Sequence, residues 1–408
     1  MTILSEAMTA SLAEHRAWAE ELYLDLHRHP ELSMQEQRTR TRIAEQLTSF
    51  GYAVQEIGGG VVGVLEAGPG PTVLFRADID GLPVQEATGL PYASTHTQVD
   101  AEGTEQPTMH ACGHDVHITA GLTAARLLAE HRADWSGTYV ALFQPGEEKA
   151  AGARAMVEDG LTDKIPAPDV CLGQHVLPAP AAGKVAVSAG PVMSTAASMR
   201  VVVHGIGSHG SMPQLSVDPV VLAASIVLRL QTLVARETSP DELAVVTVGS
   251  LQAGSAANII PDRATLLLNL RAYDSGVMEQ LISGVERIVR AECEASRSPQ
   301  PPEIEVRDRF PLTDNDPEVT AAVRRALTEQ LGAEHVEEFG RATGSEDFSL
   351  VPDAFGAPYC YWGVGGFAEG REVFPNHSPR FAPDLQPTLT IAAEAATSAV
   401  LGLLRRTV

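Results

Sequence analysis

Between residues 178 and 300 the texture of this chain changes twice, and that interruption limits its possible folds more than any other feature. Before it, short β-branched runs (VVGVLEA, TVLFRAD, TYVALFQ, DVCLGQHV) alternate with helix-like segments. One of these, HITAGLTAARLLAEH, carries an apolar stripe at Ile118, Leu122 and Ala125. Strands alternating with helices predict a largely parallel sheet covered on both faces. The connector LPAPAAGKV ends the pattern, and SRSPQPPEIEV near residue 300 is a second breaker-rich stretch. Between them the order reads strand (about 197–205), helix (about 219–236), strand (about 243–251), strand (about 262–271), helix (about 276–295) and strand (about 303–308). That is βαββαβ, the ferredoxin-like pattern. Asp218-Pro219 suits the start of its first helix, and Val277, Leu281, Val285 and Ile288 give the second one apolar face. After residue 309 the alternating style returns, ending in LTIAAEAATSAVLGLLRR. The expected class is α/β: one discontinuous domain with a largely parallel sheet (1–187 and 309–408), interrupted by a small α+β domain (188–308).

A length of 408 residues suits two cores better than one. The formal net charge of −23 argues against nucleic acid as a partner, since phosphate contacts need a basic surface. No basic amphipathic stretch points to a membrane surface, and no apolar run approaches the roughly 18 residues of a membrane span. The first residues carry neither a positive leader nor a continuous apolar segment, so no signal peptide is expected. Cys112, Cys171, Cys293 and Cys360 are too scattered for a disulfide framework, and a reducing cytoplasm is the expected compartment.

The densest chemistry lies in MHACGHDVHITAG, where His110, Cys112, His114, Asp115 and His117 precede or open a predicted helix. Three further stretches offer partners. LFQPGEEKAAG places Glu147 and Glu148 after a strand, CLGQHV places His175 at the end of the next, and FPNHSPRF places His377 in a turn. In an open parallel sheet ligands gather outside the carboxyl ends of strands, which gives these residues a reason to converge. Thiolate and imidazole favour zinc, while a mixed carboxylate set leaves manganese, cobalt and nickel open. In extended backbone Cys112 and His114 would project to one side, whereas Glu147 and Glu148 would point apart, one towards a metal and one towards a substrate. Taken singly, each piece also fits a bland role: a buried thiol, a helix start, a satisfied strand-end imidazole, a turn residue. Their common placement after strands favours a metal centre.

The motifs HRHPELSMQE, FRADIDGLPVQE, MHACGHDVH, PGEE, GSHGSMP, AANIIPD, GSEDFS and NHSP follow one another in this order. With them the chain resembles the dinuclear-metal amidohydrolases of the aminoacylase and carboxypeptidase superfamily. The similarity is to the branch of hippurate hydrolases and indole-acetyl-amino-acid hydrolases, and it runs over nearly the whole length. The resemblance implies two divalent ions (Mn2+ or Zn2+, with Co2+ or Ni2+ open) held by Cys112, His114, Glu148, His175 and His377, with Cys112 shared. It implies Glu147 as the general base that takes a proton from water and delivers it to the leaving amine. The inserted domain matches the family's lid and dimerisation domain, which makes a homodimer the expected assembly. There His209 and Asn258 resemble residues that approach the substrate carbonyl. Asn258 also suits a plain turn before Pro261, and His209 a Gly-rich loop. Arg271, at a strand end, suits either a substrate carboxylate or a surface ion pair. The chain departs from the family at Gln214, where Pro-His is common, and at Ala197, where an acidic residue is common; both bear on substrate preference. The expected reaction is hydrolysis of N-acyl-amino acids, a small-molecule substrate class. A peptidase-like or carbamoyl-type hydrolase, or a binding protein retaining the fold, are the rivals. A redox thiol would need a second cysteine near Cys112, and none is near in sequence.

Overall fold

The computed structural model describes residues 2–404. The chain begins with helices α1 (Glu6–Arg28) and α2 (Gln37–Ser49), then strands β1 (Ala53–Ile57), β2 (Gly60–Glu66) and β3 (Thr72–Asp78). Helix α3 (His114–Glu130), β4 (Thr138–Gln144), β5 (Val170–Ala181) and the short β6 (Val185–Ala186) follow. The inserted stretch contains β7 (Thr195–His204), α4 (Pro219–Thr232), β8 (Ala244–Ala253), β9 (Arg263–Ala272), α5 (Ser275–Ala295) and β10 (Glu303–Phe310). The chain returns through α6 (Pro317–Leu331), β11 (Val336–Glu337), β12 (Tyr359–Phe367) and α7 (Leu385–Leu404).

The larger sheet has the order β1-β2-β4-β3-β5-β12-β6-β11. Strands β4, β3, β5 and β12 are mutually parallel, while β1, β2 and β4 pair antiparallel. Its central strands read as nearly continuous apolar runs because both faces are covered: all nine residues of β12 are buried. Helix α3 packs against α1 and α7, and its burial is nearly all-round rather than a single stripe. Both α7 and the helical stretch Pro219–Glu237 have the length and apolar composition of a membrane span. Each packs a face on a sheet, and α7 lies largely within the core.

The inserted stretch forms its own antiparallel sheet, ordered β8-β9-β7-β10, with a separate core against α4 and α5. Burial alternates residue by residue along β9, which gives one face to that core and leaves the other partly exposed. The Asp218 side chain accepts the Val220 and Val221 N–H groups with Pro219 at the first helical position, and Asp274 caps α5 through Val277. Ala197 is fully buried in this core, so the apolar residue is part of the packing there, whereas Gln214 is exposed in a one-turn 3-10 helix.

The compact units divide at Val192 and Thr313, against 187 and 308 expected from the breaker-rich stretches. The segment Arg341–Glu346 also groups with the inserted unit, although it lies far along the returning chain. Hydrogen bonds explain this. Ser194 Oγ donates to the carbonyls of Thr343 (3.0 Å) and Gly344 (3.1 Å), and Arg271 Nη1 donates to Thr343 O at 2.6 Å.

Candidate metal centre

Because β3, β4, β5 and β12 are parallel, their C-terminal ends open along one edge of the sheet. Asp78 closes β3, and Asp80 follows it. Glu147 and Glu148 occupy a 3-10 turn, Glu147–Lys149, after β4. His114 is the first residue of α3, and Cys112 sits in the turn before it, so the pair is not in extended backbone. Gly113 between them has φ +84°, and a Cβ there would strike the Val176 side chain, so both conformation and space require glycine. His175 is not at the end of its strand: β5 continues to Ala181 alongside β12. Its pairing with β3, however, stops at Gly173, which leaves His175 beside the space beyond β3.

The ligand atoms of Cys112, Glu148 and His377 lie within 4.8 Å of one another, as do those of His114, Glu147 and Glu148. Cys112 Sγ is 3.4 Å from His175 Nε2, and His377 Nε2 is 3.2 Å from Glu148 Oε2. Both adjacent glutamates reach His114 Nε2 at 3.9 Å, because a 3-10 turn does not separate neighbours as a strand does. His377, the one half-exposed member, is held at φ +69°, a region disfavoured for side chains other than glycine. Its own N–H donates to Ala111 O (2.8 Å), and Asn376 Nδ2 donates to Cys112 O and Val176 O (3.3 Å each).

The donor set suits a divalent cation. His114 Nδ1 faces the Asp80 carbonyl at 2.9 Å, an oxygen that can only accept, so Nδ1 carries a proton and Nε2 is the nitrogen that offers a lone pair once its own proton gives way to a cation. That Nε2 and Glu148 Oε1 are buried without a hydrogen-bond partner. His175 Nδ1 likewise donates to Val176 O (2.8 Å), freeing Nε2. This is how metal-binding imidazoles are oriented. The field has the matching sign. Burial opposes charge on His114, yet Asp78, Asp80 and Glu148 hold its pKa at about 10. Burial, together with the Glu148, Glu147 and Asp78 carboxylates, pushes the Cys112 thiol up. A cation placed among these carboxylates would take the place of the His114 Nε2 proton and favour the Cys112 thiolate.

Several residues that complete this arrangement were not singled out as ligands or bases from sequence. Burial disfavours the Asp78 charge, but His114, His117 and Arg76 outweigh it and hold the carboxyl well below the usual range. His117 lies in the histidine-rich stretch but has no lone pair to offer. Its Nδ1 is hydrogen-bonded to Asp78 Oδ1, and its Nε2 accepts the Val176 N–H at 2.8 Å. Although His117 groups spatially with Asp78, His114 and His175, both its ring nitrogens are engaged and we assign it a supporting role. Arg76, fully buried, donates to Asp78 (2.6 Å), Gln144 (2.9 Å) and Asp347 (3.3 Å), joining β3, β4 and the returning chain. In the sequence Asp78 is marked by its place at the end of TVLFRAD, much as Glu147 is by following TYVALFQ.

The remaining residues belong to the inserted unit. Ser208–His209 pairs with Ile259–Ile260, and the Gly210 N–H donates to Asn258 O at 2.8 Å, so His209 and Asn258 share one turn. His209 Nδ1 accepts the Ser211 N–H at 3.2 Å, which puts the proton of the neutral ring on the exposed Nε2. Arg271 is at the opposite end of β9, eight strand steps or roughly 26 Å from Arg263. It is tied to Asn269 Oδ1 (3.0 Å), Thr343 O (2.6 Å) and Ser345 Oγ (3.1 Å).

Residues 74–400 match the model of Peptidase family M20/M25/M40. Thermostable carboxypeptidase 1 of Saccharolobus solfataricus is 32% identical over 394 residues, covering 93% of this chain and 94% of its own. The hippurate hydrolase of Campylobacter jejuni is 35% identical, covering 84% of this chain and 87% of its own. Among solved structures, a Bacillus subtilis dinuclear metal binding peptidase of the M20 family superimposes with a TM-score of 0.77 at 29% identity, over 96% of this chain and 99% of that one. By sequence along most of its length and by fold, the chain belongs to peptidase family M20/M25/M40.

Proposed function

We propose that this protein is a metal-dependent amidohydrolase that cleaves N-acyl-amino acids to a carboxylic acid and a free amino acid. The observation that carries the reading is the convergence of Cys112, Glu148 and His377 within 4.8 Å, with Glu147 and His114 alongside. The names of the relatives share one chemistry. Hippurate is an acyl group on an amino acid, and a carboxypeptidase cuts the amide that bears a terminal amino acid. In this reading Cys112, His114, Glu148, His175 and His377 hold two divalent ions, Mn2+ or Zn2+ with Co2+ or Ni2+ as substitutes. Bound there, the ions supply positive charge that polarises the scissile carbonyl and acidifies water. Glu147 takes a proton from the attacking water; as the C–N bond breaks it returns that proton to the leaving nitrogen, so acid and amine form in balance. His209, through its Nε2–H, and Asn258 donate to the carbonyl oxygen as negative charge develops there. Arg271 recognises the substrate carboxylate; because it lies at the far end of β9 from the His209–Asn258 turn, that turn is contributed by the second copy of the homodimer.

The substrate is a small molecule, and four buried, unpaired cysteines suit a reducing cytoplasm. The inserted unit, residues 193–313 with 341–346, serves as lid and as the contact of a homodimer. Among the described residues, thirteen of the sixteen exposed large apolar side chains lie in it, including Val220, Val221 and Leu228 on α4 and Val245 and Leu251 on the edge strand β8. A bare edge and an apolar helix face suit two-fold pairing with a second copy. Sedimentation is expected to give a dimer, and His209→Ala to lower turnover by about 100-fold with metal content unchanged. A fully active monomer, or normal turnover in the variant, would remove that role from the inserted unit.

The reaction itself is tested by stripping the protein with a chelator, restoring each divalent ion singly, and screening N-acyl-amino acids beside dipeptides and N-carbamoyl-amino acids. Release of free amino acid from the N-acyl series, dependent on the restored ion, is expected. The carboxypeptidase relatives favour the second reading, a peptidase, which preferential dipeptide cleavage would establish. Metal binding with no hydrolysis of any class would leave a binding protein.

A further inference from the structure

The segment HPELSMQE, between α1 and α2, makes no part of the reaction above, yet it runs beside the metal centre. The Gly81 N–H donates to Glu31 O at 2.6 Å, and Leu32 bridges Gly81 in parallel register. Ser33 Oγ donates to Asp80 Oδ2 at 2.6 Å, and the same oxygen accepts the Glu148 N–H at 3.1 Å. Glu36 is only 1% exposed, and its Oε1 accepts two backbone N–H groups, from Met34 and from Gly146, each at 2.8 Å.

Gly146 is the residue directly before Glu147. Its φ is +55°, and its carbonyl accepts the N–H groups of Ala151 (3.1 Å) and Gly152 (3.2 Å), closing the turn that carries both glutamates. A Cβ on Gly146 would meet the Met34 side chain, so the turn is moulded on the same segment that supplies Glu36. An ordinary helix-capping role does not account for Glu36. It precedes α2 but makes no side-chain hydrogen bond to that helix. The cap is Glu31, whose two carboxylate oxygens accept the N–H groups of Arg38 (2.9 Å) and Thr39 (2.7 Å).

We propose that Glu36 is a positioning residue for the metal centre: its buried carboxyl fixes the Gly146 N–H and thereby the direction in which Glu147 and Glu148 present their carboxylates. The proposal rests on the metal-dependent reading above. Burial, with the Asp80 charge close by, raises the Glu36 pKa to about 8, so glutamine in its place keeps the accepting oxygen at little electrostatic cost.

The test is a titration of chelator-stripped protein with Zn2+ alone, beside thermal unfolding of the metal-free protein and, where substrate is cleaved, kcat and KM. Glu36→Ala should weaken Zn2+ binding by about 10- to 100-fold, the scale for losing a partner behind the ligands, and lower kcat more than it raises KM. Glu36→Gln should restore Zn2+ affinity. Glu31→Ala is the control: it should lower the metal-free Tm through the lost helix cap while leaving Zn2+ affinity intact. If the alanine variant does not fold, Glu36→Asp retracts the acceptor by one methylene and should still loosen Zn2+. Wild-type Zn2+ affinity in Glu36→Ala or Glu36→Asp overturns the proposal, as does equal loss in Glu31→Ala. Because Zn2+ affinity is read without substrate, a protein that binds the ion but cleaves no amide would overturn the functional reading and leave this test standing.

Discussion

Glu147→Gln is expected to lower kcat by about 100- to 10,000-fold while the protein retains its metal ions, the range for losing one general acid–base group. Glutamine preserves the shape and volume of a side chain that is almost wholly buried, so the turn after β4 has no reason to rearrange. It removes the ability to accept a proton, and with it delivery of that proton to the leaving nitrogen. The neighbouring Glu148→Gln should behave differently, since Glu148 is the carboxylate that meets His377 at 3.2 Å and groups with Cys112. Removing the negative charge at that point should loosen metal retention first and activity in consequence. Steady-state kinetics with elemental analysis of both variants decides the matter, and the opposite pattern means that the two glutamates exchange roles.

Loss of an imidazole ligand should act on metal and turnover at once, and burial sets how cleanly each case can be read. His175→Ala and His377→Ala should each lower metal content and turnover together, with turnover falling by at least the roughly 100-fold that loss of an outer partner can reach. His377 is half-exposed and outside the core, so its variant should fold normally and report on the metal alone. His175 is buried between Cys112 and the Val176 carbonyl, so its variant needs an unfolding curve beside the metal analysis. Two ions per chain and normal turnover in both variants would sink the ligand assignment.

The parallel sheet and the βαββαβ insertion were legible because both rest on local periodicity. Apolar runs such as TYVALFQ and the Asp-Pro start of α4 carry their meaning within a few residues. What spacing alone misjudged was backbone geometry at the site. Cys112 and His114 straddle a left-handed glycine rather than sharing a strand, and Glu147 and Glu148 share a 3-10 turn. The prolines after His175 suggest a strand end there, yet pairing with β12 carries the strand on to Ala181. Asp78 and Arg76 were hidden because an Arg and an Asp in a strand read as ordinary polar residues until burial shows otherwise. The grouping of Arg341–Glu346 with the inserted unit depends on hydrogen bonds from Ser194 and Arg271, which no local pattern announces.

The link between Asn376 and Cys112 spans 264 positions of the chain. During synthesis the thiol, His114 and the two glutamates therefore leave the ribosome long before the segment that completes their surroundings. Domains condense from the N-terminal side as they emerge, and contacts this remote in sequence form last. On the proposed ligand set, a nascent chain that has not yet reached His377 would hold only an open, partial set of donors, able to trade ions with its surroundings. The set would close, and with it the choice of ion, only after that turn has docked beside Cys112.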